Sequence, residues 1–230
     1  MTEVYCAIDT PDLAAAERLA GDLAGAVDGI KLGLEFFAAN GPAGVERLAR
    51  KGLPVFLDLK LHDIPNTVAG AVRALMPLGP RILTVHAGGG RAMLQAAMEA
   101  AAKAAGNQTR IVGVTVLTSL DDDDLGRMGW AAGSQASVAR LAQEAKSGGL
   151  DGIVCSPREA AAMRAEFGLD FFLVVPGIRP AWAATGDQKR VTTPAEAAAA
   201  GADVLVIGRP ITGADRPAEA AQRIAAELAA

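Results

Sequence analysis

Short apolar runs alternate with Ala- and Leu-rich amphipathic stretches eight times along the chain, and this alternation constrains the fold more than any other property of the sequence. The runs cover residues 4–8, 29–34, 54–59, 82–86, 111–117, 152–155, 171–175 and 204–207. They are continuously apolar, the pattern of strands in a parallel sheet covered on both faces. Helical stretches follow at residues 12–26, 44–51, 64–76, 91–105 and 134–147, then after Ser156, after Thr193, and over residues 217–229. Ser156-Pro157-Arg158-Glu159 and Thr193-Pro194-Ala195-Glu196 each align a capping hydroxyl, a first-turn proline and a capping-box glutamate. A turn-forming Asp precedes an apolar strand at Asp28-Gly29-Ile30, Asp151-Gly152-Ile153 and Asp203-Val204-Leu205. A strand–helix unit repeated eight times predicts an α/β fold, a closed (β/α)8 TIM barrel, and 230 residues is close to the ~250 typical of it. The alternative is a doubly wound open sheet, but the Gly-rich first turn of that fold is replaced here by Asp9-Thr10-Pro11-Asp12. No linker divides the chain, so residues 1–230 are expected to form one domain.

Composition narrows the function classes. Hydrophobic residues make up 51% of the chain, enough to offset chain entropy by burial. The net charge is -4 and no basic cluster is present, which argues against a nucleic-acid partner but leaves room for a local anion site. Cys6 and Cys155 sit in apolar strand runs and read as reduced core thiols. The N-terminus shows no basic segment followed by an apolar one, and no apolar run approaches the roughly 20 residues that span a bilayer. A cytoplasmic protein without membrane contact is expected. The acidic run at residues 121–124 reads as a solvated surface loop.

The working face of such a barrel lies at the C-terminal ends of its strands. Those ends carry Asp9, Lys31, Asp58 with Lys60 and Asp63, His86, Thr118, Ser156, Gly177 to Arg179, and Gly208-Arg209. Pro176-Gly177-Ile178-Arg179 and Gly208-Arg209 set flexible backbone beside fixed positive charge after strands 7 and 8, where barrels often bind phosphate. Residues 179–191, with Gly186, Gln188, Lys189 and Arg190, form either a lid over a bound anion or a surface excursion.

The third strand end concentrates the charge. In an extended strand Asp58 and Lys60 share one face, while Leu57, Leu59 and Leu61 take the other. Asp9, Asp58 and Asp63 could hold a divalent metal, but Lys31 and Lys60 already supply positive charge to the cluster. A Schiff-base lysine needs a neutral amine, which flanking carboxylates oppose. An ammonium held by aspartates is instead a proton donor, and a nearby carboxylate repels a substrate carboxylate until CO2 departs. These residues point to a phosphorylated substrate and carbanion chemistry, with decarboxylation one possibility, and leave the substrate unnamed.

The stretch Asp58-Leu59-Lys60-Leu61-His62-Asp63-Ile64-Pro65-Asn66-Thr67-Val68 resembles the signature of the orotidine 5'-phosphate decarboxylase family. The resemblance extends over the chain through Ala7-Ile8-Asp9, Lys31-Leu32-Gly33, Val114-Thr115-Val116-Leu117-Thr118-Ser119, Val175-Pro176-Gly177-Ile178-Arg179, Asp187-Gln188 and Ile207-Gly208-Arg209. It implies a lyase of pyrimidine biosynthesis without cofactor or metal, converting orotidine 5'-phosphate to UMP and CO2. By position, Lys60 would protonate C6, and Asp58 would crowd the substrate carboxylate and hold Lys60. Asp9 and Lys31 would bind ribose hydroxyls, with Lys31 extending the charge network. Thr118 would contact the pyrimidine, and Gln188 and Arg209 the phosphate, Gln188 also bridging from the lid to the base. The family implies a homodimer with shared active sites, in which Asp63, Ile64 and Thr67 serve the neighbouring subunit. A related magnesium-dependent family acting on 3-keto-L-gulonate 6-phosphate shares the Asp-x-Lys-x-x-Asp pattern but carries an acidic residue where Lys31 stands. A non-catalytic nucleotide-binding dimer is the remaining alternative. His62 and His86, lacking metal-ligand spacing, are assigned structural or supporting roles.

Overall fold

The computed structural model describes residues 2–104, 108–183 and 192–229. Eight parallel strands close into one barrel in sequence order. They are β1 (Glu3–Ile8), β2 (Gly29–Gly33), β3 (Val55–Leu61), β4 (Ile82–His86), β5 (Arg110–Val114), β6 (Gly152–Val154), β7 (Phe172–Pro176) and β8 (Val204–Ile207). β8 pairs with β1 through Glu3 opposite Val204, which closes the ring and removes every sheet edge. The (β/α)8 expectation holds and the open sheet is excluded.

Inward and outward side chains separate as the pleat requires. Tyr5, Ala7, Phe56, Ile82, Val112, Val174, Val204 and Val206 form a closed apolar plug inside the barrel. The alternate positions, among them Ile8, Ile30, Leu32, Leu57, Leu83 and Val85, pack outward under the helices. The plug fills the lower barrel, with the Arg110 guanidinium 4.4 Å from the centre of the Phe172 ring beside it, and the charged side chains of Asp9, Lys31, Asp58 and Lys60 gather at the upper, C-terminal end.

The Asp residues before three of the strands do more than turn the chain. The carboxylate of Asp28 accepts from the Val4 N–H, that of Asp151 from Ile111, and that of Asp203 from Leu173, each at 2.7 Å. The N–H of each Asp returns a bond to the same residue's carbonyl, at 2.9, 3.1 and 2.9 Å respectively. Each Asp therefore clasps the foot of the preceding strand with two bonds and helps set the register of neighbouring units.

The helices are α1 (Leu13–Asp22), α2 (Leu34–Ala49), α3 (Pro65–Leu75), α4 (Arg91–Ala102), α5 (Asp122–Arg127), α6 (Ser134–Ser147), α7 (Pro157–Phe167), α8 (Pro194–Ala199), α9 (Arg209–Thr212) and α10 (Pro217–Ala229). Asp12 caps α1 by accepting from Ala14 and Ala15, and α1 ends at Asp22, short of the expected residue 26. α2 starts ten residues before the expected position 44, because it is two helical pieces joined across a kink at Gly41 (φ 59°) and Pro42. The acidic run 121–124 corrects another expectation. It is solvated but helical: Asp121 caps α5 and exchanges bonds with Asp124. The Thr193 capping box forms as expected, with bonds of 2.8 and 3.2 Å to and from Glu196. None of the described helices is long and apolar enough to cross a membrane.

Candidate active site

The inward positions above the plug carry an alternating chain of charge. Lys31 on β2 lies opposite Ala7 and Phe56 in the sheet, so its stem rises through the apolar layer and its ammonium emerges at the top. Lys31 Nζ is 3.2 Å from Asp9 Oδ1 and 3.7 Å from Asp58 Oδ2. Asp58 Oδ2 in turn accepts from Lys60 Nζ at 2.8 Å. The order Asp9–Lys31–Asp58–Lys60 gives each inner charge an opposite neighbour. That satisfies the requirement on buried ions, since the Lys31 and Asp58 side chains are only 11% and 14% exposed. Gly33 leaves space for the pair at the rim: a Cβ there would sit 3.2 Å from Lys31 Nζ and 3.4 Å from Asp9 Oδ1.

Lys60 reaches this cluster by an irregular route. Leu57 pairs with Leu83 and Leu61 with Val85, so residues 58–60 of β3 stand against Thr84 alone on β4. Lys60 takes φ 50° and is the one non-glycine residue with positive φ among the described residues. Asp58 and Lys60 do share a face as expected, but through a bulge rather than simple strand alternation.

Asp63, Ile64 and Thr67 lie at the start of α3, all exposed. Asp63 Oδ1 accepts from the Ile64 N–H at 2.7 Å, and Asp63 forms no ion pair within the described residues. Ile64 is 67% exposed, unusual for an aliphatic side chain beside a charged cluster.

A cavity of about 190 Å³ stands over the charge chain, lined by Lys31, Asp58, Lys60, Thr118 and Pro176. A wider cleft of about 730 Å³ shares Thr118 and Pro176 and extends to Gly177, Ser156 and Thr192. Gly208 and Arg209 line a separate opening beside Asp9 and Thr10, and Arg209 begins α9. Arg179 is buried at 6% exposure, and its N–H donates to the Thr192 carbonyl at 3.0 Å. Gln188, together with Gly186, Asp187, Lys189 and Arg190, lies outside the described residues. Cys155 also lines the inner cavity, but burial pushes its thiol up to about 12, so the group stays protonated and unreactive at neutral pH.

The whole arrangement lies inside a family match. The model of the orotidine 5'-phosphate decarboxylase / HUMPS family matches residues 2–224. The chain belongs to this family. Orotidine 5'-phosphate decarboxylase of Rhodospirillum rubrum is 61% identical over 230 residues, covering 98% of this chain and 93% of that protein. The enzyme of the same name from Paramagnetospirillum magneticum is 57% identical over 229 residues, covering 98% and 97%. The crystal structure of orotidine 5'-phosphate decarboxylase from Lactobacillus acidophilus superposes with a TM-score of 0.88 at 35% identity, covering all of both chains.

Two features of this orotidine 5'-phosphate decarboxylase family member were not legible in its sequence. The first is Thr84, fully buried on β4 and bonded to both Asp58 and Lys60. Its one sequence signal is a hydroxyl in the otherwise apolar run Ile82-Leu83-Thr84-Val85. The second is the stacking of His62 on His86, with ring centroids 4.9 Å apart and planes 14° from parallel. His86 Nδ1 accepts from the Gly88 N–H at 3.1 Å, which places the ring proton on Nε2. Burial, then the neighbouring His62 and Lys60, hold the His86 pKa below its ordinary value.

That shift fixes a pH dependence of stability. The unfolded chain protonates His86 more readily than the folded one, so this contribution is present above the unfolded value of about 6.5 and is lost as pH falls through the lower folded value. Urea unfolding of the wild type is expected to show stability declining below about pH 6.5, and His86→Asn, which keeps an acceptor for Gly88, to show a shallower decline. Parallel curves for the two proteins would exclude this role for His86.

Proposed function

We propose that this chain decarboxylates orotidine 5'-phosphate to UMP and CO2 in pyrimidine biosynthesis, using side chains alone. The observation that carries the proposal is the chain Asp9–Lys31–Asp58–Lys60 under a small cavity. It stands in a protein 61% identical to an enzyme of that name. The pyrimidine occupies the inner cavity with its C6 carboxylate toward Asp58, and Thr118 contacts the ring. Two carboxylates so placed repel each other, and the repulsion vanishes when the C6–CO2 bond breaks. The electron pair of that bond remains at C6, and Lys60 Nζ delivers a proton to it. Lys60 is then reprotonated from solvent, which its 32% exposed side chain permits.

Asp9 and Lys31 hold the ribose hydroxyls. Backbone N–H groups at Gly177 and Gly208, with Arg209 and Gln188, take the phosphate, while Pro176 and Arg179 shape and support the loop that bears Gly177. Lys60, Lys31 and Thr84 already occupy the Asp58 oxygens, so positive charge is present at the reacting centre without a resident cation. The enzyme is a cytoplasmic homodimer, and Asp63, Ile64 and Thr67 complete the partner's site, which accounts for their exposure and for the lack of an Asp63 ion pair among the described residues.

Offering the purified protein orotidine 5'-phosphate and, separately, 3-keto-L-gulonate 6-phosphate tests the assignment. UMP formation from the first and no turnover of the second is the expected result. Turnover of the second alone would overturn the proposal.

A further inference from the structure

Thr84 sits where a regular strand pair would have a backbone partner for β3. Between Leu57–Leu83 and Leu61–Val85 the ladder is interrupted, and the Lys60 N–H donates to the Thr84 hydroxyl at 2.8 Å. The same hydroxyl donates its single proton to Asp58 Oδ1 at 3.1 Å. The side chain is fully buried, where an unpaired hydroxyl is disfavoured, and these two bonds satisfy it as acceptor and as donor. The inward neighbours Ile82 and Val112 are apolar, so this hydroxyl is a local exception in the barrel wall.

The consequence concerns geometry at the reacting groups. One hydroxyl fixes the left-handed backbone of Lys60 and also the rotation of the Asp58 carboxylate, whose other oxygen holds Lys60 Nζ at 2.8 Å. A left-handed lysine is strained and persists only where its surroundings over-determine it. The Lys60 ammonium is thus held from both ends, by its own amide and by Asp58, with Thr84 common to the two.

We propose that Thr84 is a positioning residue for the decarboxylation, aiming Lys60 and orienting Asp58 through this pair of bonds. The proposal rests on the assignment of Lys60 as proton donor and Asp58 as its partner. A hydroxyl acting this way contributes to the transition state rather than to nucleotide binding, and that distinguishes it from a packing residue.

The test compares Thr84→Val, which keeps the shape and removes both bonds, with Thr84→Ser, which keeps the hydroxyl. Measured for each are kcat, KM for orotidine 5'-phosphate, Kd for UMP and the thermal unfolding midpoint. Thr84→Val is expected to lower kcat by about 10- to 100-fold, the loss of hydrogen bonding to a charged group, with KM and the UMP Kd within about threefold of wild type. Thr84→Ser is expected to stay within about threefold in all three. A folded Thr84→Val protein with wild-type kcat overturns the proposal, as does a Thr84→Ser protein as impaired as Thr84→Val. If Thr84→Val does not fold, Thr84→Cys, of similar volume but a weaker donor, decides by the same criterion: kcat down about tenfold supports the role, and unchanged kcat overturns it. Lys60→Ala in the same assays tells the role of Lys60 apart from that of Thr84. Retained turnover there sinks the site assignment and this proposal together. An inactive Lys60→Ala beside a fully active Thr84→Val sinks only the role of Thr84.

Discussion

Replacing Lys60 with Ala is expected to lower kcat by about 10⁴-fold, the upper range for loss of a positioned general acid, while the protein stays folded. The Lys60 side chain is 32% exposed, so truncation opens no sealed cavity in the core. Asp58 keeps Lys31 at 3.7 Å and the Thr84 hydroxyl at 3.1 Å, so its charge is not left unpaired. A thermal midpoint within about 4 °C of wild type is therefore expected, which corresponds to a change near 1 kcal/mol for a chain of this size. Steady-state kinetics and circular dichroism on the same preparation check both halves. Near-normal turnover would remove Lys60 from the chemistry.

A second large effect is expected if, as proposed, two subunits share each site. Asp58→Asn and Asp63→Asn are each expected to be nearly inactive as homodimers. Mixed with subunit exchange, they should recover about a quarter of wild-type activity, because half the dimers are then mixed and each mixed dimer has one native site. The structural motive is the contrast between the two acids. Asp58 is 14% exposed and paired within its own chain, whereas Asp63 is exposed and, among the described residues, bonded to the next backbone N–H alone. If exchange occurs and no activity returns, the two residues act in the same chain's site.

These two residues also mark how far the sequence could be read. The strands were legible because a parallel barrel buries them on both faces, leaving continuous apolar runs such as Val204–Ile207, found within the expected limits. Lys31, Asp58 and Lys60 were legible because charge at the end of an apolar run has few structural explanations. The β3 bulge was not legible, since Asp58-Leu59-Lys60 satisfies the two-residue period of a plain strand equally well. Only the β4 register, a long-range property, reveals the extra residues. Thr84 was hidden for the same reason: its partners lie 24 and 26 residues away and converge only once β3 and β4 pair. The first half of α2 was missed because Gly41-Pro42 normally ends a helix, and here it kinks one. α5 was missed because consecutive acids suggest a solvated loop, although they also suit the first turn of a helix, where its dipole favours negative charge.

Side chains alone, with Lys60 as the proton source, are proposed to decarboxylate orotidine 5'-phosphate. UMP formation by the purified protein is followed after exhaustive EDTA treatment, with EDTA kept in the assay. The same kcat as in untreated protein is expected, with no detectable gain when Mg2+ replaces the chelator. Loss of turnover in EDTA, restored by Mg2+, would contradict it.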